Sequence, residues 1–200
     1  MELHKPADYN TSENTKNNIY GVLPYVAPEI LRGQNYTKAA DIYSFGIIMY
    51  EVFSGLPPYY DVNHDSNLVI KICLGLRPKF NIKVPQLIVH LIKRCLDANP
   101  LNRPTAEEVK SILTQCDYEI EAKGDTELTK QIKEADEFNN NLQHNNVSSN
   151  SLSYESHSGV KIYISKLLNF NNLPEPKNSD DYYEQNDNII SKEFLESFTN

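Results

Sequence analysis

The pattern of hydrophobic and polar positions predicts a helix over residues 37–54 that is apolar on every side. Thr37 has a side chain suited to the N-cap position, and Gly55 opens a Gly-Leu-Pro-Pro stretch that ends the helix. The apolar positions are Ile42, Phe45, Ile47, Ile48, Met49, Val52 and Phe53. Because they point in nearly all directions around the axis, this helix is expected to lie at the centre of the fold.

Three further helices are predicted downstream. They cover residues 65–75, 85–97 and 105–115. Asp65 or Ser66 can cap the first, Pro85 starts the second, and Thr105 with Glu108 gives the third a capping-box pattern. No strand alternation accompanies them, so the predicted fold class is mostly α.

The chain beyond residue 117 has weaker patterns. Leu128 and Ile132 have helical spacing and indicate an exposed helix within residues 117–138. Residues 139–200 form an Asn/Ser-rich linker and an acidic tail, which are expected to be largely disordered. The predicted domain organisation is therefore one helical lobe, at residues 1–116, followed by an extension.

Charge is distributed unevenly along the chain, whose formal net charge is −8 at pH 7. Residues 1–116 carry 12 basic and 11 acidic side chains, whereas residues 117–200 carry 7 and 16. An acidic tail repels phosphate and anionic lipid, so neither nucleic acid nor a membrane is an expected partner. No stretch has the length of a membrane span or the apolar centre of a signal peptide, which predicts a cytoplasmic protein.

The potential metal ligands have no recognisable spacing. Cys73, Cys95 and Cys116 include no Cys-x-x-Cys pair, and the five histidines are scattered. Buried, reduced thiols are expected, and no metal-binding residue is predicted.

Three motifs occur in order along the lobe. They are Ala27-Pro28-Glu29, Asp41-Ile42-Tyr43-Ser44-Phe45-Gly46, and the run Cys-Leu-Asp-Ala-Asn-Pro-Leu-Asn-Arg-Pro at 95–104. Together they resemble the C-terminal lobe of a eukaryotic protein kinase of the tyrosine-kinase-like serine/threonine group, over roughly residues 3–115. The Leu-Pro-Glu-Pro-Lys stretch at 173–177 is similar to tails in expanded fungal kinase families.

The resemblance implies a helical lobe without its β-rich N-terminal partner lobe. Residues 3–29 correspond to the activation segment, and the four predicted helices to helices F, G, H and I. The family pairs the residues at Glu29 and Arg103, whereas Glu29 could also be an exposed acid at a helix start. Asp41 would hold the backbone of the catalytic loop in the family; the alternative is helix capping.

The activation segment contains several hydroxyl groups within a polar loop at residues 6–20. Thr11, Ser12, Thr15 and Tyr20 could accept phosphate, or they could simply be solvated loop residues. Tyr25 belongs to the same segment.

The motifs that perform phosphoryl transfer are absent from this sequence. It contains no glycine-rich loop, no strand lysine paired with a helix glutamate, no catalytic-loop aspartate and asparagine, and no Asp-Phe-Gly. No catalytic or cofactor-binding residue is therefore predicted; ATP and Mg²⁺ are expected only for the intact family domain. Val22 replaces the threonine that follows the family's glycine, which is expected to weaken catalysis, and Tyr43 replaces a tryptophan.

Two classes of function remain open. The first is a fragment of an ATP-dependent serine/threonine or dual-specificity kinase, inactive alone, that retains the lobe facing the protein substrate. The second is a non-catalytic scaffold derived from such a lobe; an incomplete gene model of an active kinase is a further alternative. The expected partners are a protein substrate or binding protein, the missing N-terminal lobe, or a chaperone.

Part of the central helix is expected to face water, because the family covers it with elements that this sequence lacks. Apolar tail residues could cover that surface, although the Asn/Ser-rich linker favours unspecific docking. These residues are Val160, Ile162, Leu167, Leu168 and Phe170.

Overall fold

The computed structural model of the chain describes residues 19–146 and 165–179, with only the backbone described at 142–146. Six helices and two short strands make up this part. They are β1 Ile19–Gly21, α1 Pro28–Leu31, α2 Lys38–Ser54, α3 Ser66–Cys73, α4 Gln86–Cys95, α5 Ala106–Glu121, α6 Glu127–Asn146 and β2 Lys166–Leu168. The described chain is mostly helical, as the hydrophobic pattern predicts.

Helix α2 runs through the middle of the lobe and packs against α4. The Thr37 side chain accepts a hydrogen bond from Ala40 N (3.3 Å), and Gly55, at φ 68°, ends the helix in the left-handed conformation. Tyr43 and Ile47 are fully buried, whereas Val52 remains 73% exposed. The helix is therefore central, but one stretch of its surface faces water.

The caps of the other helices follow the sequence signals. Asp65 accepts hydrogen bonds from the backbone N–H groups of Leu68 (3.2 Å) and Asn67 (2.9 Å), which lower the pKa of its carboxyl group. Thr105 and Glu108 form a reciprocal capping box, with bonds of 2.6 and 3.1 Å. These local signals locate the helix starts to within one residue.

Helix α6 is longer than the spacing of its apolar residues indicates, and it is partly buried. Leu128 and Ala135 are buried, while Ile132 packs against the core. The exposed face is anchored by Asn139, which accepts from Lys83 N (2.9 Å) and donates to Lys83 O (2.9 Å). Tertiary contacts of this kind extend a helix beyond its local propensity.

The two strands form an antiparallel pair that joins the start of the described lobe to the tail. Ile19 lies opposite Leu168, and Gly21 opposite Lys166. No strand is predicted among the first 116 residues, and β1 shows that this prediction is wrong. Three residues are too few for alternation to be visible, and the partner lies in the tail.

All three cysteines are buried and free, as predicted. Burial raises the pKa of Cys95 to about 12 and that of Cys116 to about 11. No helix within the described residues is both long enough and apolar enough to cross a membrane.

Gly46 allows α2 and α4 to approach closely. A Cβ atom at this position would lie 2.7 Å from Cys95 Cβ and 2.9 Å from a methyl carbon of Leu96. The Leu96 methyl group could rotate away, but Cys95 Cβ is fixed next to the backbone of α4, so an added methyl group would have to push the two helices apart.

We expect Gly46→Ala to destabilise the protein by about 1–3 kcal/mol, the usual cost of overpacking a core, despite the better helix propensity of alanine. Urea unfolding followed by circular dichroism measures the change. Gly124→Ala is the matched control, because a Cβ there would meet only Thr126 Cγ2, at an ordinary 3.6 Å. Equal stabilities of the two variants would contradict the packing argument.

Candidate functional site

The Ala-Pro-Glu motif lies within a buried segment that packs against α2. A short 3-10 turn at Leu23–Tyr25 leads into α1, and Pro28 occupies its first position, where the missing N–H costs nothing. Two hydrogen bonds fix the segment on α2. Ser44 Oγ donates to Tyr25 O (2.7 Å), and the Tyr25 hydroxyl donates to Glu51 Oε2 (2.6 Å).

Glu29 and Arg103 form a bidentate ion pair inside the lobe. Arg103 Nη1 donates to Glu29 Oε1 (2.7 Å) and Nη2 to Oε2 (2.8 Å), across 74 residues of sequence. Their side chains are 0% and 5% exposed, with arginine the more buried. Glu29 is thus not the exposed acid that the sequence leaves open as an alternative.

The remaining donors of Arg103 are also occupied. Nε donates to Asp97 O (2.9 Å), Nη1 to Ala39 O (2.9 Å) and Nη2 to Ala98 O (3.5 Å). One guanidinium group therefore ties together the end of the Ala-Pro-Glu segment, the first turn of α2 and the loop before α5. We call Glu29, Arg103 and these carbonyl groups the clamp.

Tyr43 lies beneath the clamp, and its ring is flanked by two arginines. The guanidinium carbon of Arg103 lies 5.1 Å from the ring centre and that of Arg77 lies 5.5 Å away, both within cation–π range. Burial raises the pKa of the phenol, while the two arginines oppose the rise. Within the described residues the buried Tyr43 hydroxyl has no hydrogen-bond partner.

Asp41 lies at the surface, in the first turn of α2. The helix cap is Thr37, so the capping role that the sequence leaves open for Asp41 is wrong. A carboxylate in this turn still stabilises the helix, because it lies near the positive end of the helix dipole.

The residues that the resemblance assigns to an activation segment fall into two groups. Thr11, Ser12 and Thr15 lie outside the described residues. Tyr20 is half-buried in β1 and its carbonyl accepts from the Tyr36 hydroxyl (3.5 Å), whereas Tyr25 is buried against α2.

Residues of the tail pair with β1 and with the region around it. Beyond the β1–β2 pair, Leu168 is 2% exposed, and Glu175 makes a bidentate contact with Arg32, in which Arg32 Nη1 donates to Oε2 (2.6 Å) and Nη2 to Oε1. Lys177 N donates to Cys73 O (2.9 Å). We call residues 165–179 the strap. Its contacts join residues far apart in the chain, 143 positions for Arg32 and Glu175, and leave no local signal in the sequence.

Val22 is buried directly after β1 and brings no hydroxyl group to this segment. Among the described residues, no group of three or more histidine, cysteine, aspartate or glutamate side chains could hold a metal ion. The candidate site is therefore a structural platform for the segment at residues 19–31.

Comparison with known proteins places this platform in a family. The sequence profile of the protein kinase domain matches residues 6–113. A protein kinase and PP2C-like domain-containing protein of Arabidopsis thaliana is 35% identical over 111 residues, covering 47% of this chain and 17% of that protein. The probable serine/threonine-protein kinase drkB of Dictyostelium discoideum is 38% identical over 100 residues, covering 50% of this chain and 14% of drkB.

A solved structure also matches, the cryo-EM structure of the AtMLKL3 tetramer. It is 36% identical in sequence with a TM-score of 0.42, covering 44% of this chain and 17% of that one. The chain thus spans less than a fifth of the length of each of these three proteins.

We expect Glu29→Gln and Arg103→Met each to cost about 3–5 kcal/mol of unfolding free energy, because each leaves a buried group without its partner. The double variant is expected to lose less than the sum of the two, and a double-mutant cycle by urea unfolding measures that coupling.

The exposed pair of Lys83 and Glu134, at 2.8 Å, is the matched control, and its coupling should not exceed about 1 kcal/mol. A clamp coupling no larger than that of the control would contradict the structural role. If a single variant does not fold, folding of the double variant still reports the coupling.

Proposed function

Because the chain belongs to the protein kinase domain family, we propose that it supplies the substrate-side lobe of an ATP-dependent serine/threonine protein kinase. In this role the segment at residues 19–31 and helices α2 to α5 form the surface that receives a protein substrate. The lobe contributes to phosphorylation of that substrate but does not by itself bind ATP or transfer phosphate.

The clamp is the observation that carries this proposal. Its bidentate bonds at 2.7 and 2.8 Å fix the end of the segment, while Ser44 and Glu51 hold its middle on α2. A substrate platform must hold its backbone in one position before the substrate arrives, and buried, fully paired groups provide that order.

The described residues do not fit a site for nucleotide and Mg²⁺. In a protein kinase Mg²⁺ is held by the Asp-Phe-Gly aspartate and the catalytic-loop asparagine, and this sequence contains neither motif. The sequence also lacks a glycine-rich loop for the phosphates. In the proposed arrangement ATP is held by residues outside this chain's lobe.

We expect the purified chain to show no saturable binding of ATP–Mg²⁺ with a Kd below about 1 mM, and no phosphorylation of a generic protein substrate. Isothermal titration and radiolabel transfer measure the two properties. Saturable binding or steady transfer by the chain alone would contradict the proposed division of labour.

A chimera tests the positive part of the proposal. Residues 19–115 replace the matching part of drkB, the 38% identical relative, so that drkB supplies everything else. We expect the chimera to phosphorylate a substrate that intact drkB phosphorylates, and Val22→Thr to raise its rate by restoring the hydroxyl group that the family has there.

Glu29→Gln is expected to abolish the activity of the chimera, because it releases the segment at residues 19–31 from Arg103. Val52→Ala, on the exposed part of α2, is the matched control and should leave the rate unchanged. A folded but inactive chimera, with or without Val22→Thr, would favour a non-catalytic scaffold.

A further inference from the structure

A cleft of about 660 Å³ lies between the end of α3, the loop at residues 74–84 and α4. Its apolar wall includes Phe80, Ile82 and Val89, which are only partly buried. Its volume is within the usual range for a ligand site, roughly 300–1,000 Å³. The cleft lies apart from the clamp and takes no part in holding the activation segment.

The charge of the cleft is entirely positive. Its basic residues are Lys71, Arg77, Lys79, Lys83 and Lys93, and no acidic residue lines it. Arg77 is engaged by the backbone oxygens of Leu96, Ile72 and Leu76, and Lys83 pairs with Glu134. Lys71 and Lys79 are exposed and have no ion-pair partner within the described residues. Like charges at such close quarters favour an anionic occupant.

The end of the strap lies at this cleft. Asn178 Oδ1 accepts from Ala98 N (2.9 Å), and the next residue, Ser179, itself lines the cleft. Gly75, at φ 103°, makes room for the crossing, because a Cβ there would lie 2.5 Å from Ser179 N. The chain therefore leaves the described region at the mouth of a basic, partly apolar cleft.

The residues that follow Ser179 have the complementary chemistry. Residues 180–184 read Asp-Asp-Tyr-Tyr-Glu, and residues 180–200 contain six acidic side chains and one basic. Five residues span at most about 17 Å when fully extended, so the segment that follows Ser179 can lie along the cleft. The two tyrosine rings are suited to the apolar side chains of the cleft, and the three carboxylates are suited to its lysines.

We propose that the cleft binds the chain's own segment at residues 180–184, with carboxylates against Lys71 and Lys79 and the tyrosine rings against the apolar wall. Because the segment is tethered at Ser179, its effective concentration at the cleft is in the millimolar range, so weak exposed ion pairs suffice.

Zero-length carbodiimide coupling of the full chain tests this arrangement, because it joins a lysine to a carboxylate only where the two are in contact. Peptide mass spectrometry should find Asp180, Asp181 or Glu184 joined to Lys71 or Lys79. Raising the salt to about 1 M, where the screening length is about 3 Å, should reduce the yield.

The double variant with Lys71→Glu and Lys79→Glu lacks the two amines that would be coupled, so it is followed by amide hydrogen exchange. Exchange at residues 71–84 is expected to rise about five-fold or more as the segment is released. Lys110→Glu, an exposed lysine of α5 outside the cleft, is the control for charge and should change neither coupling nor exchange. A tail-side variant, Asp180→Lys with Asp181→Lys and Glu184→Lys, covers the case in which the lobe variant does not fold. It should raise the same exchange.

A mixture of unlabelled and ¹⁵N-labelled chains identifies the occupant. Products within one isotope class support the proposal. Mixed-isotope products would overturn it in favour of a second copy. Coupling spread evenly over surface lysines, coupling only to Asp187 or later residues, or unchanged exchange in the tail-side variant would also overturn it.

Discussion

The buried contact between Glu29 and Arg103 is the constraint on which the rest of the lobe depends. Removing two charges from water costs several kcal/mol for each ion, and that cost is offset only if every donor and acceptor is paired. Here the fork of Arg103 meets both carboxylate oxygens and three backbone carbonyls. Since those carbonyls belong to the loop before α5 and the first turn of α2, neither element can move without leaving a buried N–H group of Arg103 without its acceptor.

The clamp also explains why a polar layer is tolerated in the middle of a helical core. Tyr43 separates Arg103 from Arg77, and its ring faces both guanidinium groups. Arg77 in turn donates to the carbonyls that end α3 and α4, at 2.8 Å each. The ends of three helices are thus joined through two arginines and one ring, at the cost of a buried phenol hydroxyl without a partner among the described residues.

Local signals in the sequence were sufficient for the starts of α2, α3, α4 and α5 and insufficient for the contacts between distant segments. Caps such as Thr37 and Asp65 act over three or four residues, so α2 and α3 could be predicted almost to the residue. The geometry of the clamp follows from family motifs, not from periodicity. The strap could not be predicted, because a three-residue strand has no visible alternation and Arg32 lies 143 residues from Glu175.

The clamp and the strap hold the same segment with unequal strength. The clamp is buried on both sides, whereas Glu175 in the strap is 82% exposed and its ion pair is open to screening by salt. The strap adds one buried leucine and a three-residue strand pair, too little to match the clamp. Local opening should therefore release the tail from β1 first and leave the Ala-Pro-Glu segment fixed on α2. The fold thus separates a permanent anchor from a detachable cover, and only the cover depends on the acidic extension.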